Sequence, residues 1–230
     1  MISHTKKLLF IHVPKTGGKS LARFLAPYCD TDALTYFSPF SDDPGANLHA
    51  TLYEYMEAYG PTIMEKYSIF SIVRNPWEKA LSMHLHQNNN TFDREHFREV
   101  IFSPIDTHSL WSHSHFYFYV KKPLSMDEDT GVYQVHQRYP RARTLSDYEY
   151  YENILHFPIM LRFENYAEEV ESFFDFHDIK YNKEQLRKKT NTTSHKHYSH
   201  YYKPGEVQEI LEWCELDTQI MGYRFEKETS

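Results

Sequence analysis

The sequence of 230 residues is poor in cysteine and glycine and has no long apolar run. Its two cysteines, Cys29 and Cys214, cannot form a disulfide framework, so a reducing compartment is the simpler expectation. The apolar stretch at residues 8–13 is broken by His12 and is too short for a signal-peptide core or a membrane span. We therefore predict a cytoplasmic protein without a membrane span.

The chain also lacks an excess of positive charge. Its formal net charge is -7, which argues against an extended nucleic-acid surface, because such a surface needs a basic face. Any anionic ligand must then be met by a local cationic site. The 19 tyrosines and 16 phenylalanines supply enough apolar area for a folded core, and no repeat or low-complexity linker divides the chain. We predict a single domain over residues 1–230.

Apolar runs and helical patterns alternate along the sequence. Residues 8–13, 68–73 and 159–163 are short apolar runs typical of buried strands, and each is followed by a helical pattern. Asn75 and Pro76 have the residue types preferred at the cap and the first position of a helix. This alternation predicts an α/β fold with a central parallel sheet, in which ligands bind at the carboxyl ends of the strands.

The loop after the first predicted strand has the composition of an anion site. Residues 14–20 read PKTGGKS, and a glycine pair between a strand and a helix lets backbone N–H groups approach an anion. The candidate ligand-binding residues of this loop are Lys15, Thr16, Gly17, Gly18, Lys19 and Ser20. The end of the loop also fits the nucleoside-triphosphate pattern G-x-x-x-x-G-K-[ST], but Val13 stands where its first glycine belongs, which weakens a kinase interpretation.

The string FIHVPKTGGKSL resembles the 5′-phosphosulfate loop of carbohydrate-type sulfotransferases, which use 3′-phosphoadenosine 5′-phosphosulfate (PAPS) and release 3′-phosphoadenosine 5′-phosphate (PAP). The resemblance is to heparan-sulfate 2-O-sulfotransferase-like enzymes, in a soluble bacterial form. It implies a P-loop-like three-layer fold and a contact between Lys15 and the bridging oxygen of the phosphosulfate. Lys19 replaces a small hydroxyl residue of the family pattern and either adds a phosphate contact or points into solvent.

A second motif, IFSIVRNPWEKALS, resembles the 3′-phosphate site of the same family. That site combines an arginine at a strand end with a serine eight residues later, and Arg74 and Ser82 match these positions. Eight residues are just over two helical turns, so both side chains can reach one anion. A kinase would instead place a metal-binding aspartate at the end of this strand.

The candidate base is His49, which lies between the two motifs in the string NLHAT. In the related glycosaminoglycan sulfotransferases, a histidine ahead of the second motif removes the proton of the acceptor hydroxyl. An imidazole suits this role because it titrates near neutral pH. Glu54 and Glu57 are alternative bases, and each would need a raised pKa.

A late segment, NTTSHKHY at residues 191–198, resembles the loop that closes over the nucleotide in these enzymes. The resemblance implies that Lys196, His197 and Tyr198 bind the nucleotide, through charge or by stacking on adenine. A solvated polar loop is the alternative. The histidine pairs of the chain have no accompanying ligand pattern, so we predict no metal.

These resemblances predict sulfuryl transfer from PAPS to an acceptor hydroxyl, with a saccharide as the favoured acceptor. The segment at residues 87–155 is assigned to acceptor binding, and the oligomeric state stays open. Two alternatives are a nucleotide-dependent kinase acting through Lys19 and Ser20, and a non-catalytic nucleotide-binding module of the same fold.

Overall fold

The computed structural model describes residues 1–29, 49–50, 52, 55, 59–60, 62–102, 119–120, 148–149, 159–188 and 195–228. The chain divides into two compact units. The first unit comprises Met1–Arg74 and Tyr151–Thr192, and the second comprises Asn75–Tyr150 and Thr193–Ser230. Each unit has a hydrophobic core cluster of its own. The assignment of residues 1–230 to a single domain stays a prediction.

The described elements alternate between strands and helices. The strands are β1 (Ile2–Ser3), β2 (Leu8–Ile11), β3 (Ser68–Val73), β4 (Tyr119–Val120), β5 (Tyr148–Glu149) and β6 (Ile159–Arg162). The α-helices are α1 (Gly18–Leu25), α2 (Ile63–Lys66), α3 (Pro76–Gln87), α4 (Arg94–Phe102), α5 (Tyr166–Phe176), α6 (Lys183–Arg187), α7 (Pro204–Trp213) and α8 (Glu215–Met221). Short 3₁₀ turns occupy Ala26–Tyr28, Phe163–Asn165 and Tyr198–Tyr201. None of these helices is long and apolar enough to cross a bilayer.

A four-stranded sheet in the order β1-β2-β3-β6 forms the centre of the first unit. β2, β3 and β6 run parallel, whereas β1 pairs antiparallel with β2 at the edge. The carboxyl ends of three parallel strands therefore lie along one side of the sheet, where ligands bind in α/β proteins. The predicted α/β fold with a central parallel sheet and flanking helices is confirmed, and the antiparallel edge strand is an addition to it.

One face of the sheet packs against helices α1 and α5. In the strand register Phe10 pairs with Phe70, and Ile72 pairs with Leu161. These side chains share a core cluster with apolar residues of the two helices, namely Leu21, Leu25, Val170, Phe173 and Phe174. Burial of one such aliphatic or aromatic side chain contributes about 1.5–3 kcal/mol to stability. This packing holds α1, and with it the loop before α1, against the sheet.

The opposite face of the central strands is also buried. Leu9 and Ile11 of β2 are 0% exposed, and Ile69 and Val73 of β3 are at most 5% exposed. Parallel strands that are covered on both faces are mostly apolar along their whole length. This burial explains the continuous apolar run at residues 8–11, and in β3 the buried Ser71 hydroxyl is satisfied by donating to the Ile11 carbonyl at 2.6 Å.

Helix α3 begins as its sequence predicts. The side-chain oxygen of Asn75 accepts hydrogen bonds from the backbone N–H groups of Trp77 and Glu78, at 3.1 and 3.3 Å. Pro76 occupies the first helical position, where no N–H is needed. The helix then supplies much of the second unit's core cluster, which contains Trp77, Ala80, Leu81, Met83, Leu85, Phe97, Ile101, Tyr198, Ile210 and Cys214.

Helix α4 is held in place by tertiary contacts with α7. Phe97 is 0% exposed, and Glu206 of α7 is 2% exposed. The Glu206 carboxylate accepts hydrogen bonds from Arg94 and Arg98 of α4, at 2.9 and 3.0 Å, and from the backbone N–H of Lys203 at 2.8 Å. A buried carboxylate needs such partners, because leaving it unpaired is strongly destabilising. These contacts join α4 to α7.

Candidate functional site

The loop between β2 and α1 is a tight turn held by its own hydrogen bonds. Lys15 and Gly17 have positive φ angles of 61° and 84°. The Thr16 side chain is 0% exposed, and its hydroxyl donates to the Val13 carbonyl at 2.9 Å. The Thr16 side chain thus stabilises the turn. The positive φ of Gly17 explains why glycine occupies position 17.

The loop presents unused backbone donors at the start of α1. Among the described residues, no acceptor receives a hydrogen bond from the backbone N–H groups of Gly17, Gly18 and Lys19. The next N–H, that of Ser20, donates to the Gly17 carbonyl at 3.0 Å. Successive free N–H groups at a helix N-terminus form an anion site, since the helix dipole is positive there. The geometry therefore fits a phosphate or sulfate group.

Gly18 allows the His12 ring to pack directly against the loop. A Cβ atom at position 18 would lie 2.1 Å from Cδ2 and 2.3 Å from Nε2 of His12. The imidazole has little room to move, because it is 3% exposed and stacks on Phe10 with a centroid distance of 5.5 Å. No side chain larger than hydrogen fits at position 18 without displacing this ring.

We expect Gly18→Ala to destabilise the protein. The added methyl group overlaps a packed ring, and overpacking of this kind costs about 1–3 kcal/mol in the free energy of unfolding. Gly205→Ala is the matched control, since nothing lies within 4 Å of a Cβ at Gly205. Urea denaturation followed by circular dichroism measures both variants. Equal stability of the two would show that the contact with His12 is not limiting.

The second cationic residue of the site, Arg74, follows β3 directly. Its Nη1 donates to the Lys15 carbonyl at 2.9 Å, and its guanidinium lies over the Phe163 ring at 4.2 Å from the centroid. Lys15 is half-buried, and this burial, together with Arg74 and then Lys19, lowers the pKa of Lys15 from 10.5 to about 8. Crowded cations repel one another, so an anion bound among them is favoured.

His49 lies beside the loop through its contact with His12. Its Nδ1 is 2.8 Å from the His12 carbonyl oxygen, and the two ring centroids are 4.6 Å apart. A carbonyl oxygen only accepts, so Nδ1 of His49 must carry the proton of the neutral ring. The Nε2 atom then holds the lone pair. The structure thus brings the predicted base next to the loop, in the tautomer that can accept a proton at Nε2.

The other predicted nucleotide-binding residues belong to the second unit. Ser82 lies on α3 and is 5% exposed. Lys196 is exposed and His197 is half-buried. Tyr198 is 5% exposed, and its hydroxyl accepts a hydrogen bond from the N–H of Glu226 at 2.8 Å. Their contribution to nucleotide binding stays a prediction.

Several predicted features lie outside the described residues. These are the alternative bases Glu54 and Glu57, residues 191–194 of the late segment, and most of the segment assigned to acceptor binding. Within the described part of the chain, no group of three or more His, Cys, Asp or Glu side chains is placed to hold a metal ion.

A model of the sulfotransferase family matches residues 1–224. The chain belongs to the sulfotransferase family. Neither a curated protein nor a solved structure matches it. The match spans both motifs and almost the whole chain, so the predicted family and general chemistry are confirmed: the protein is a transferase that moves a sulfuryl group.

Three residues around the loop of this sulfotransferase were not predicted as part of the site. His12 packs on Gly18, whereas Phe163 and Tyr166 lie within 3.0 and 3.4 Å of a Cβ built on Gly17. The sequence feature that could have indicated His12 is its position as the polar residue that interrupts the apolar run just before the loop. Phe163 follows the third parallel strand, and a position at a strand's carboxyl end is the signal for it.

Proposed function

We propose that this sulfotransferase transfers the sulfuryl group of PAPS to a hydroxyl group of a saccharide. The observation that carries the proposal is the loop at residues 14–20, with backbone donors free at its end and two cationic side chains beside it. The resemblance of both motifs to carbohydrate-type enzymes supports PAPS as the donor and a saccharide as the acceptor.

In the proposed reaction, a bond forms between the acceptor oxygen and sulfur, and the bond between sulfur and the bridging phosphate oxygen breaks. The electron pair stays on PAP. The ammonium group of Lys15 stabilises the charge that develops on this oxygen, and Nε2 of His49 takes the hydroxyl proton. The unused backbone N–H groups of Gly17, Gly18 and Lys19 hold the phosphosulfate in line with the acceptor, whereas the N–H of Ser20 is already bonded to the Gly17 carbonyl. This scheme requires no metal ion.

The second motif supports Arg74 and Ser82 as contacts of the 3′-phosphate. A guanidinium forms paired, charge-assisted hydrogen bonds with phosphate oxygens, which suits this role. The late segment supports Lys196, His197 and Tyr198 as further nucleotide contacts, with exposed Lys196 offering the most accessible charge of the three. These assignments rest on sequence pattern.

Donor binding can be tested before the acceptor is known. We expect PAP to raise the melting temperature, since a ligand at 100 times its Kd stabilises a protein by about 2.7 kcal/mol. Arg74→Ala should lose most of this ligand-induced shift because the 3′-phosphate loses its cation. Arg23→Ala, which removes an exposed arginine of α1, is the matched control and should keep the shift.

The same measurement separates the alternatives. The proposal would be contradicted if ATP with Mg²⁺ raised the melting temperature and PAP did not, and if Arg74→Ala left the ATP-induced shift unchanged. That result would favour a kinase. Binding of PAP without transfer of labelled sulfate to any saccharide, tyrosine, lipid or small metabolite offered would favour a non-catalytic module. Transfer to a tyrosine, lipid or small metabolite would overturn the assignment of the acceptor alone.

A further inference from the structure

His12 is a buried histidine with unused hydrogen-bonding capacity. It follows β2, and its side chain is 3% exposed. Among the described residues, its Nδ1 has no hydrogen-bond partner. Burial is the main cause that lowers the pKa of His12 well below 6.5, and the charges of His49, the amino terminus and Lys19 add to this effect. The ring is therefore neutral at physiological pH.

The identity of this residue is not explained by packing. Burying a ring nitrogen without a partner costs stability, and an apolar side chain stacked on Phe10 would avoid that cost. The neighbours of the ring are Gly18 of the phosphosulfate loop and His49. A buried polar atom left unpaired beside a reaction site points to a requirement of the reaction.

We propose that His12 is a positioning residue that holds His49 in place as the base. The inference rests on the proposed function, in which His49 takes the hydroxyl proton. The backbone carbonyl of His12 fixes the Nδ1–H tautomer of His49, at 2.8 Å. The His12 ring supports the His49 imidazole from a centroid distance of 4.6 Å.

The neutral state of His12 also helps His49 to act as the base. When His49 takes up a proton it becomes a cation, and a second cation at this distance would repel it and weaken it as a base. Lys19 is the charged side chain of the loop that acts on His12. An uncharged His12 ring can therefore contact His49 without making it a weaker proton acceptor.

A double-mutant cycle tests this inference with the full chain, sulfur-labelled PAPS and a desulfated heparan-type oligosaccharide. His12→Leu should lower kcat by about 10–100-fold, because it removes the ring that supports His49 while the backbone carbonyl of position 12 stays, and it should leave KM for PAPS within about 3-fold. Its melting temperature should equal or exceed that of the wild type. In the His49→Ala background the same substitution should lower kcat by no more than about 2–3-fold.

Other outcomes overturn the inference in distinguishable ways. Equal losses of kcat in both backgrounds would show that His12 acts independently of His49, and a raised KM for PAPS would show that it contacts the donor. Unchanged kcat in His12→Leu, with His49→Ala inactive, would show that the His12 side chain only packs. Full activity of His49→Ala would instead remove the proposed base. His12→Phe is the matched variant that keeps an aromatic ring beside His49, and it should lower kcat less than His12→Leu does.

Discussion

Replacing Lys15 with alanine is expected to lower the rate of sulfuryl transfer by about 10²–10³-fold, the usual effect of removing one group that stabilises transition-state charge. The half-buried ammonium lies in a loop where water screens it less than at the surface. Transfer of labelled sulfate from PAPS measures the loss. Lys19→Ala is the matched comparison from the same loop, and its effect should be smaller because Lys19 is exposed.

The lowered pKa of Lys15 predicts an alkaline limb in the pH profile. The side chain is charged below about pH 8 and neutral above it. Because the ammonium is the active form, kcat/KM should fall as the pH rises through about 8. Bound donor anions favour the charged form, so the corresponding limb of kcat should lie at higher pH.

Two substitutions test the origin of this limb. Lys15→Arg should remove it, since a guanidinium stays charged throughout this range, although the altered geometry should keep the rate below that of the wild type. Lys19→Ala should move the limb to higher pH, because Lys19 is one of the charges that lower the pKa of Lys15. An unchanged limb in the arginine variant would assign it to another group.

Replacing His49 with alanine is expected to lower kcat by about 10²–10⁴-fold, the usual contribution of a positioned general base. Binding of PAP, measured by its thermal shift, should be unchanged because the base acts on the acceptor hydroxyl. Added imidazole should restore part of the rate, since it can occupy the vacated space and accept the proton.

His4→Ala controls for the general effect of removing a histidine, because His4 is an exposed residue in the turn before β2. It should keep the wild-type rate. Full activity of the His49 variant would contradict the assignment and direct attention to Glu54 and Glu57 as bases.

Sequence patterns predicted the local parts of the site well. A strand, a glycine turn and a helix start follow one another within residues 8–25, so this segment could be interpreted without tertiary information. The cap of α3 is similarly local, since Asn75 bonds to N–H groups only two and three residues away. These elements confirmed the predicted fold class.

Contacts between distant residues were beyond sequence patterns. His12 and His49 are 37 positions apart, and Arg74 and Lys15 are 59 positions apart. The stacking of Arg74 on Phe163 likewise requires the sheet register that brings β3 beside β6. The spacing of apolar residues indicates which face of each helix or strand is buried. It does not indicate which side chains of different elements contact each other.

No change in amino-acid composition along the sequence marks the division into two units. One of its boundaries falls between Arg74 and Asn75, where a strand ends and a helix is capped. Boundaries are usually recognised by flexible, polar linkers rich in proline or glycine, and no such linker separates these two residues. The boundary instead lies inside the second motif.

The close approach of His12 to Gly18 also constrains how sequences of this kind can diverge. Alanine fits at position 18 only after position 12 has acquired a smaller side chain, because the alanine methyl group would overlap the His12 imidazole. A smaller residue at position 12 in turn leaves a void beside Phe10 until position 18 fills it. Each intermediate is less stable than either end, so the two positions are expected to change together or not at all.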